Sequence, residues 1–272
     1  MTNHLALPPD PASAETKSCC AAVYASDWAR LLLGDSFHPG GLALTERLGM
    51  LLALGPATRV LDVAGGPGAS AIHLARTFGC HVTAVDYSGA TVAAAREAAE
   101  RAGVGHLVEA IEGDAERLPF PDGIFDAVVC ECAFCTFPDK AGAAAEFGRV
   151  VRPGGHVGLS DLTRSGPLPP DLDGLLAWVA CIADARPPTE YVAYLEGAGL
   201  AVDRIEPHNE ALGELVGSIR TKLLGAQLLV SLKKIELPAV DFSRAQALAR
   251  SAAAAVAAGT LGYALVVGTR RG

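Results

Sequence analysis

The chain has 272 residues, enough for one large domain or two small ones, and half of them are hydrophobic, with 19% charged and 6% aromatic. That balance excludes a disordered chain and predicts a core built mainly from Ala, Val and Leu. A net charge of −8 without clustered Lys and Arg excludes a nucleic-acid backbone as partner and favours small-molecule chemistry.

Residues 1–17 have neither a basic stretch nor an apolar one of signal-peptide type, which predicts a flexible leader on a cytoplasmic protein. No apolar run approaches the ~20 uncharged residues of a membrane helix. Seven cysteines, an odd number, without a secretion signal argue against a disulfide framework and leave thiols as ligands or nucleophiles.

Residues 18–56 predict two helices, Ala22–Leu33 and Leu42–Leu54, around the loop "GDSFHPGG". "RVLDVAGG" predicts a buried strand breaking into a glycine turn, and "ASAIHLARTFG" a helix ended by Gly79. The pattern continues with strands at "HVTAVDYS", "LVEAIEGDAERL", "FDAVVCE" and "HVGLSDLT". Helices are predicted at "ATVAAAREAAERAG" and "KAGAAAEFGRVVRPGG". A further helix at "TEYVAYLEGAGL", a sixth strand at "AVDRIEPH" and a seventh at "LGYALVVGTRR" complete it. Strands alternating with helices specify an α/β fold, a doubly wound, mostly parallel sheet covered on both faces. The sheet core is expected at 57–208 and 260–272. Residues 209–259 form a helical insertion, a lid or a dimer interface, because a structureless loop of that length is improbable.

"LDVAGGPGAS" sets Ala64, Gly66 and Gly68 directly after a strand and before a helix, where a tight turn lets a ligand lie against bare backbone. Asp86 ends the next strand, eighteen residues after Gly68, placed to accept two ribose hydroxyls; Asp114 ends the third. Each carboxylate alone reads as a helix cap or a solvated turn, whereas three in register at successive strand ends read as a nucleoside site. A dinucleotide would require a further glycine near Ile72, and none is there.

These motifs, with "GDAERLPFPDGIFDAVVCE" and "RVVRPGG", resemble the class I S-adenosylmethionine-dependent methyltransferases over most of Arg59–Arg204. The resemblance implies a seven-stranded sheet with an antiparallel last strand, one methyltransferase domain over 18–272, and S-adenosylmethionine as cofactor. By position, Asp62, Ala64, Gly65, Gly66 and Gly68 line its methionine part, Asp86 beside Tyr87 holds the ribose, and Asp114 and Ala115 hold the adenine. Cys130 would lie near the sulfonium. Ala64 departs from the family's usual glycine.

"VVCECAFCTFPDK" places Cys130, Cys132 and Cys135 within six residues, where a strand runs into a loop. A methyl acceptor must lie in line with the methyl group in a pocket that excludes water, and a soft acceptor with its own lone pair needs no base. No His or Lys falls inside "VVCECAFCTF"; His38 and His208 are the nearest candidates, and His38 reads rather as a loop or cofactor-edge residue. "CECAFCTFPDKAGAAAEFGRVVRPGGHVGLSDLTRSGPLPPDL" further resembles the arsenite methyltransferases. That resemblance places Cys132 and Cys181 at ligand positions, with a third thiol from the pair Cys19 and Cys20. The implied acceptor is As(III) bound by Cys132, Cys181 and Cys20 or Cys19, since soft ligands select soft ions. A thioredoxin or glutathione system would restore the trivalent state.

Other readings remain open. A cysteine in an apolar strand is commonly a small buried hydrophobe, as is expected of Cys80. A structural zinc on the three clustered thiols would need a fourth ligand. The acceptor is then As(III), another thiophilic element or a small organic molecule, or the chain is a thiol-based metalloid binder with little turnover.

Overall fold

The computed structural model describes residues 38–169, 172, 182, 184–232 and 241–272. The predicted helix Ala22–Leu33, the leader, and Cys19, Cys20 and Cys181 lie outside them.

The described chain runs α1 (Gly41–Leu51), β1 (Arg59–Val63), α2 (Ala69–Phe78), β2 (His81–Asp86), α3 (Gly89–Arg101), β3 (Val108–Glu112) and β4 (Phe125–Glu131). A 3₁₀ turn (Phe134–Thr136) follows, then α4 (Lys140–Val150), β5 (Val151–Arg164), α5 (Pro188–Gly197), β6 (Leu200–Pro207), α6 (Asn209–Ser231), α7 (Phe242–Ala257) and β7 (Leu261–Arg270).

The seven strands form one sheet in the order β3-β2-β1-β4-β5-β7-β6. β1 to β5 pair in parallel, and β7 inserts antiparallel between β5 and β6. Parallel strands must be joined by crossovers, and the order turns back on itself at β1 and β4. The crevice beyond their C-terminal ends is where such sheets bind ligands.

Burial on both faces explains the near-continuous apolar runs: Val60, Leu61 and Val63 of β1 and Ala127 to Cys130 of β4 are all buried. Side chains alternate between faces, so Val60, Ala127 and Val129 join the core beneath α1, α2 and α3. Leu61, Val63, Val128 and Cys130 join the one beneath α4 and α5. Helix starts follow local chemistry: Ser88 and Asp139 cap α3 and α4 by accepting the amides of Thr91 and Gly142.

One boundary differs from the sequence expectation. "VVRPGG" does not extend α4; the helix stops at Val150 and Val151 already belongs to β5. Pro153 cannot continue a helix and biases Arg152 toward extended backbone, and the pairing shifts register between Phe125 and Ala127 to absorb the turn.

The insertion between β6 and β7 is a pair of helices. Leu212 and Val216 of α6 and Ala252 and Ala255 of α7 pack into a third apolar cluster with Leu162, Tyr263 and Cys135. The pair therefore covers the end of β5 and β7 next to the turn that follows β4.

Candidate functional site

The C-terminal ends of β1 to β4 open into one crevice whose walls include Ala64, Gly66, Asp86, Asp114, Glu131 and Cys132. Tyr87 and Ala115 also reach it. Four segments distant in sequence thus meet because parallel strands end on one edge.

The glycine loop leaves β1 through Ala64, whose φ of 56° is left-handed. A Cβ there is disfavoured by roughly 1–2 kcal/mol, which is why glycine is usual at such a turn. Gly65 is required for space: a Cβ on it would lie 2.8 Å from Asp62 Oδ2. Asp62 itself lies behind the loop, 1% exposed, and its Oδ2 has no hydrogen-bond partner among the described residues. Burial, and then the neighbouring Glu131 and Asp86, push its carboxyl well above the usual range. Gly68, with φ of 87°, leads into α2 without lining the crevice.

Asp86 accepts the amides of Ser88 through Oδ1 (2.9 Å) and of Gly66 through Oδ2 (3.1 Å), which ties the end of β2 to the glycine loop. Burial raises its pKa against those two hydrogen bonds. Asp114 Oδ1 accepts the Glu116 amide at 3.0 Å, forming the turn that presents Ala115 to the crevice.

Cys130 does not line the crevice. It is fully buried with Leu61, Val63, Phe134 and Phe147, and burial holds its thiol well above the usual range. The physical reason is the period of two: on β4 it points to the face opposite Val129 and Glu131. Cys132 does reach the crevice. Its φ of 53° breaks the strand's alternation, and its amide donates to Ser160 O at 2.6 Å. Among the described residues no group of three His, Cys, Asp or Glu side chains could hold a metal ion, and Cys132 is the one described member of the expected thiol set.

Glu131 was not among the residues singled out from the sequence. Its side chain is 4% exposed, and Oε2 accepts Ser70 Oγ (2.6 Å) and Thr45 Oγ1 (2.9 Å) while facing His38 Nε2 at 3.5 Å. Oε1 accepts Ser160 Oγ at 3.3 Å, and Tyr263 donates to that same Ser160 at 2.9 Å. His38, on the loop before α1, also sets Nδ1 3.2 Å from the Pro39 carbonyl. An unexplained Glu at the end of β4 was the available signal, but its partners come from the loop before α1, α1, α2 and β5.

Residues 61–159 match the family described as "Methyltransferase domain". The chain is 30% identical over 170 residues to a sarcosine/dimethylglycine N-methyltransferase of Halorhodospira halochloris, covering 62% of this chain and 61% of that protein. It is 29% identical over 195 residues to an arsenite methyltransferase of Halobacterium salinarum, covering 70% of this chain and 49% of that one. It thus spans less than two thirds of these curated relatives. Phosphoethanolamine N-methyltransferase 2 of Haemonchus contortus, solved with S-adenosylhomocysteine, shares the fold at a TM-score of 0.76 and 18% identity over 95% of this chain and 59% of that one.

Proposed function

From a methyltransferase domain over residues 61–159, we propose that the chain moves a methyl group from S-adenosylmethionine to a soft acceptor held by thiolates, As(III) foremost. The observation that carries it is Cys132 on the crevice wall, beside the glycine loop and the acidic strand ends.

The residues present suit this cofactor. Asp62 presents a buried oxygen in need of a donor, which an ammonium group supplies; Gly65 leaves the space for it; Asp86 has lone pairs left for ribose hydroxyls. When bound, S-adenosylmethionine supplies an electrophilic methyl group on sulfur. Cys132, with Cys181 and Cys20 or Cys19, holds the arsenic so that its lone pair points at that methyl. The cofactor would supply the methyl group to the arsenic lone pair, an As–C bond replacing the S–C bond, whose pair would stay on sulfur. A thioredoxin or glutathione system returns the arsenic to the trivalent state by a two-electron reduction. The 29% identity to an arsenite methyltransferase across 70% of this chain supports this acceptor.

One observation favours a second acceptor class. The His38–Glu131 pair on the crevice wall is suited to take a proton from an amine, hydroxyl or activated carbon. The same crevice would then methylate a small organic molecule, as the names of other relatives suggest.

The test is arsenite-dependent formation of S-adenosylhomocysteine and methylated arsenic. Cys132→Ser and Cys181→Ser should each abolish it. If arsenite methylation persists in the double variant, thiolate binding is wrong. If instead Glu131→Gln lowers turnover of an amine or hydroxyl acceptor by about 10²-fold or more while the cysteine variants do not, the second class holds.

A further inference from the structure

Cys135 has no role in the site described so far, yet its surroundings tie it to Cys132. The two cysteines stand in a C-x-x-C spacing across the turn that ends β4. The Cys132 amide donates to the carbonyl of Ser160 at 2.6 Å, and the Cys135 amide to Asp161 Oδ2 at 2.8 Å. Ser160 and Asp161 are consecutive on β5, with Cα atoms about 3.8 Å apart, so both cysteines hang from one point on the sheet.

Their side chains share one environment. Cys135, 1% exposed, belongs to the apolar cluster of Leu44, Leu162 and Tyr263, and Cys132 packs partly against that cluster while forming crevice wall. The left-handed backbone at Cys132 makes this turn, and strained backbone of that kind persists where the surroundings over-determine it, commonly at functional sites.

We propose that Cys132 and Cys135 form a two-thiol chelate for a trivalent thiophilic element that already carries one organic substituent. Two soft sulfurs select a soft centre, and the described residues bring no third His, Cys, Asp or Glu to complete a metal site. A monosubstituted trivalent arsenical needs two thiols. With phenylarsine oxide the two S–H protons and the arsenic-bound oxygen leave as one water, two S–As bonds form, and arsenic stays trivalent, so no oxidant or reductant takes part. The same chelate would retain the product of a first methylation, and it extends the thiophilic acceptor proposed above.

The test uses the full chain with Cys19→Ser, Cys20→Ser and Cys181→Ser, and phenylarsine oxide as probe. One equivalent should bind, peptide mapping should place it across Cys132 and Cys135, and Cys135→Ala in that background should weaken binding by about 100-fold or more as a chelate becomes a single thiol. Mapping on the unaltered chain gives the same readout should a variant fail to fold. Peptide mapping that leaves Cys135 without arsenic, or affinity within threefold after Cys135→Ala, overturns the chelate. Arsenite methylation is scored separately: its absence with the chelate intact refutes the transfer function alone, and its presence with Cys135 free of arsenic refutes the chelate alone.

Discussion

Asp62 is a buried carboxyl, held behind a glycine loop with one oxygen unpartnered among the described residues. Because burial raises its folded pKa above the ordinary 3.8, the native state binds its proton more tightly than the unfolded chain does. Its contribution to stability is therefore fully present below the unfolded value and is lost as pH rises through the folded one. Asp62→Asn removes that ionisation, so the denaturation midpoint of the variant should fall less than that of the parent as pH is raised from 4 toward neutrality; parallel curves would contradict the assignment. The variant should also bind S-adenosylmethionine more weakly. Asp86 and Asp114, both on the crevice wall, were legible in the sequence because each stands at or just past a strand end in a recognisable motif. Cys130 is absent from the crevice wall because strand alternation turns it into an apolar cluster, a direction that motif position does not carry.

At the level of elements, the turn that carries Cys132 and Cys135 is anchored by a buried ion pair. Lys140, the first residue of α4, donates to the Phe137 carbonyl and pairs with Asp184, their side chains being 4% and 14% exposed. Asp184 also pairs with Arg186, just before α5. The pair fastens the crevice wall to the segment leading into α5. Removing one partner strands a buried charge, so Asp184→Asn should destabilise the fold by about 3–5 kcal/mol, and the double replacement Lys140→Met with Asp184→Leu by less than that. Denaturant unfolding decides; a loss under about 1 kcal/mol for Asp184→Asn would show that the pair is dispensable. The elements themselves were readable from periodicity and caps. What periodicity missed was the end of α4, where Pro153 acts on residues before it; the helices of the 209–259 insertion were expected, but their position over Tyr263 and Cys135 depends on tertiary packing.

For the molecule as a whole, the crevice joins the ends of four strands, so a ligand there should stabilise the entire sheet. S-adenosylhomocysteine at 100 times its Kd should add about 2.7 kcal/mol to unfolding, and Asp86→Ala should remove most of that gain at the same concentration. A ligand-dependent gain that is the same in Asp86→Ala as in the parent would place the nucleoside site elsewhere. No helix among the described residues is long and apolar enough to cross a membrane.

The sequence by itself determined the strand and helix order, the glycine turn with its two acidic partners and the thiols after β4, because these depend on local spacing and local backbone chemistry. Only the tertiary structure decided which way those thiols face, and that Glu131 gathers His38, Thr45, Ser70 and Ser160 around one carboxylate. The physical reason is that a buried charge is satisfied by whatever donors the sheet edge brings within about 3 Å, and those donors are set by strand order rather than by sequence neighbourhood.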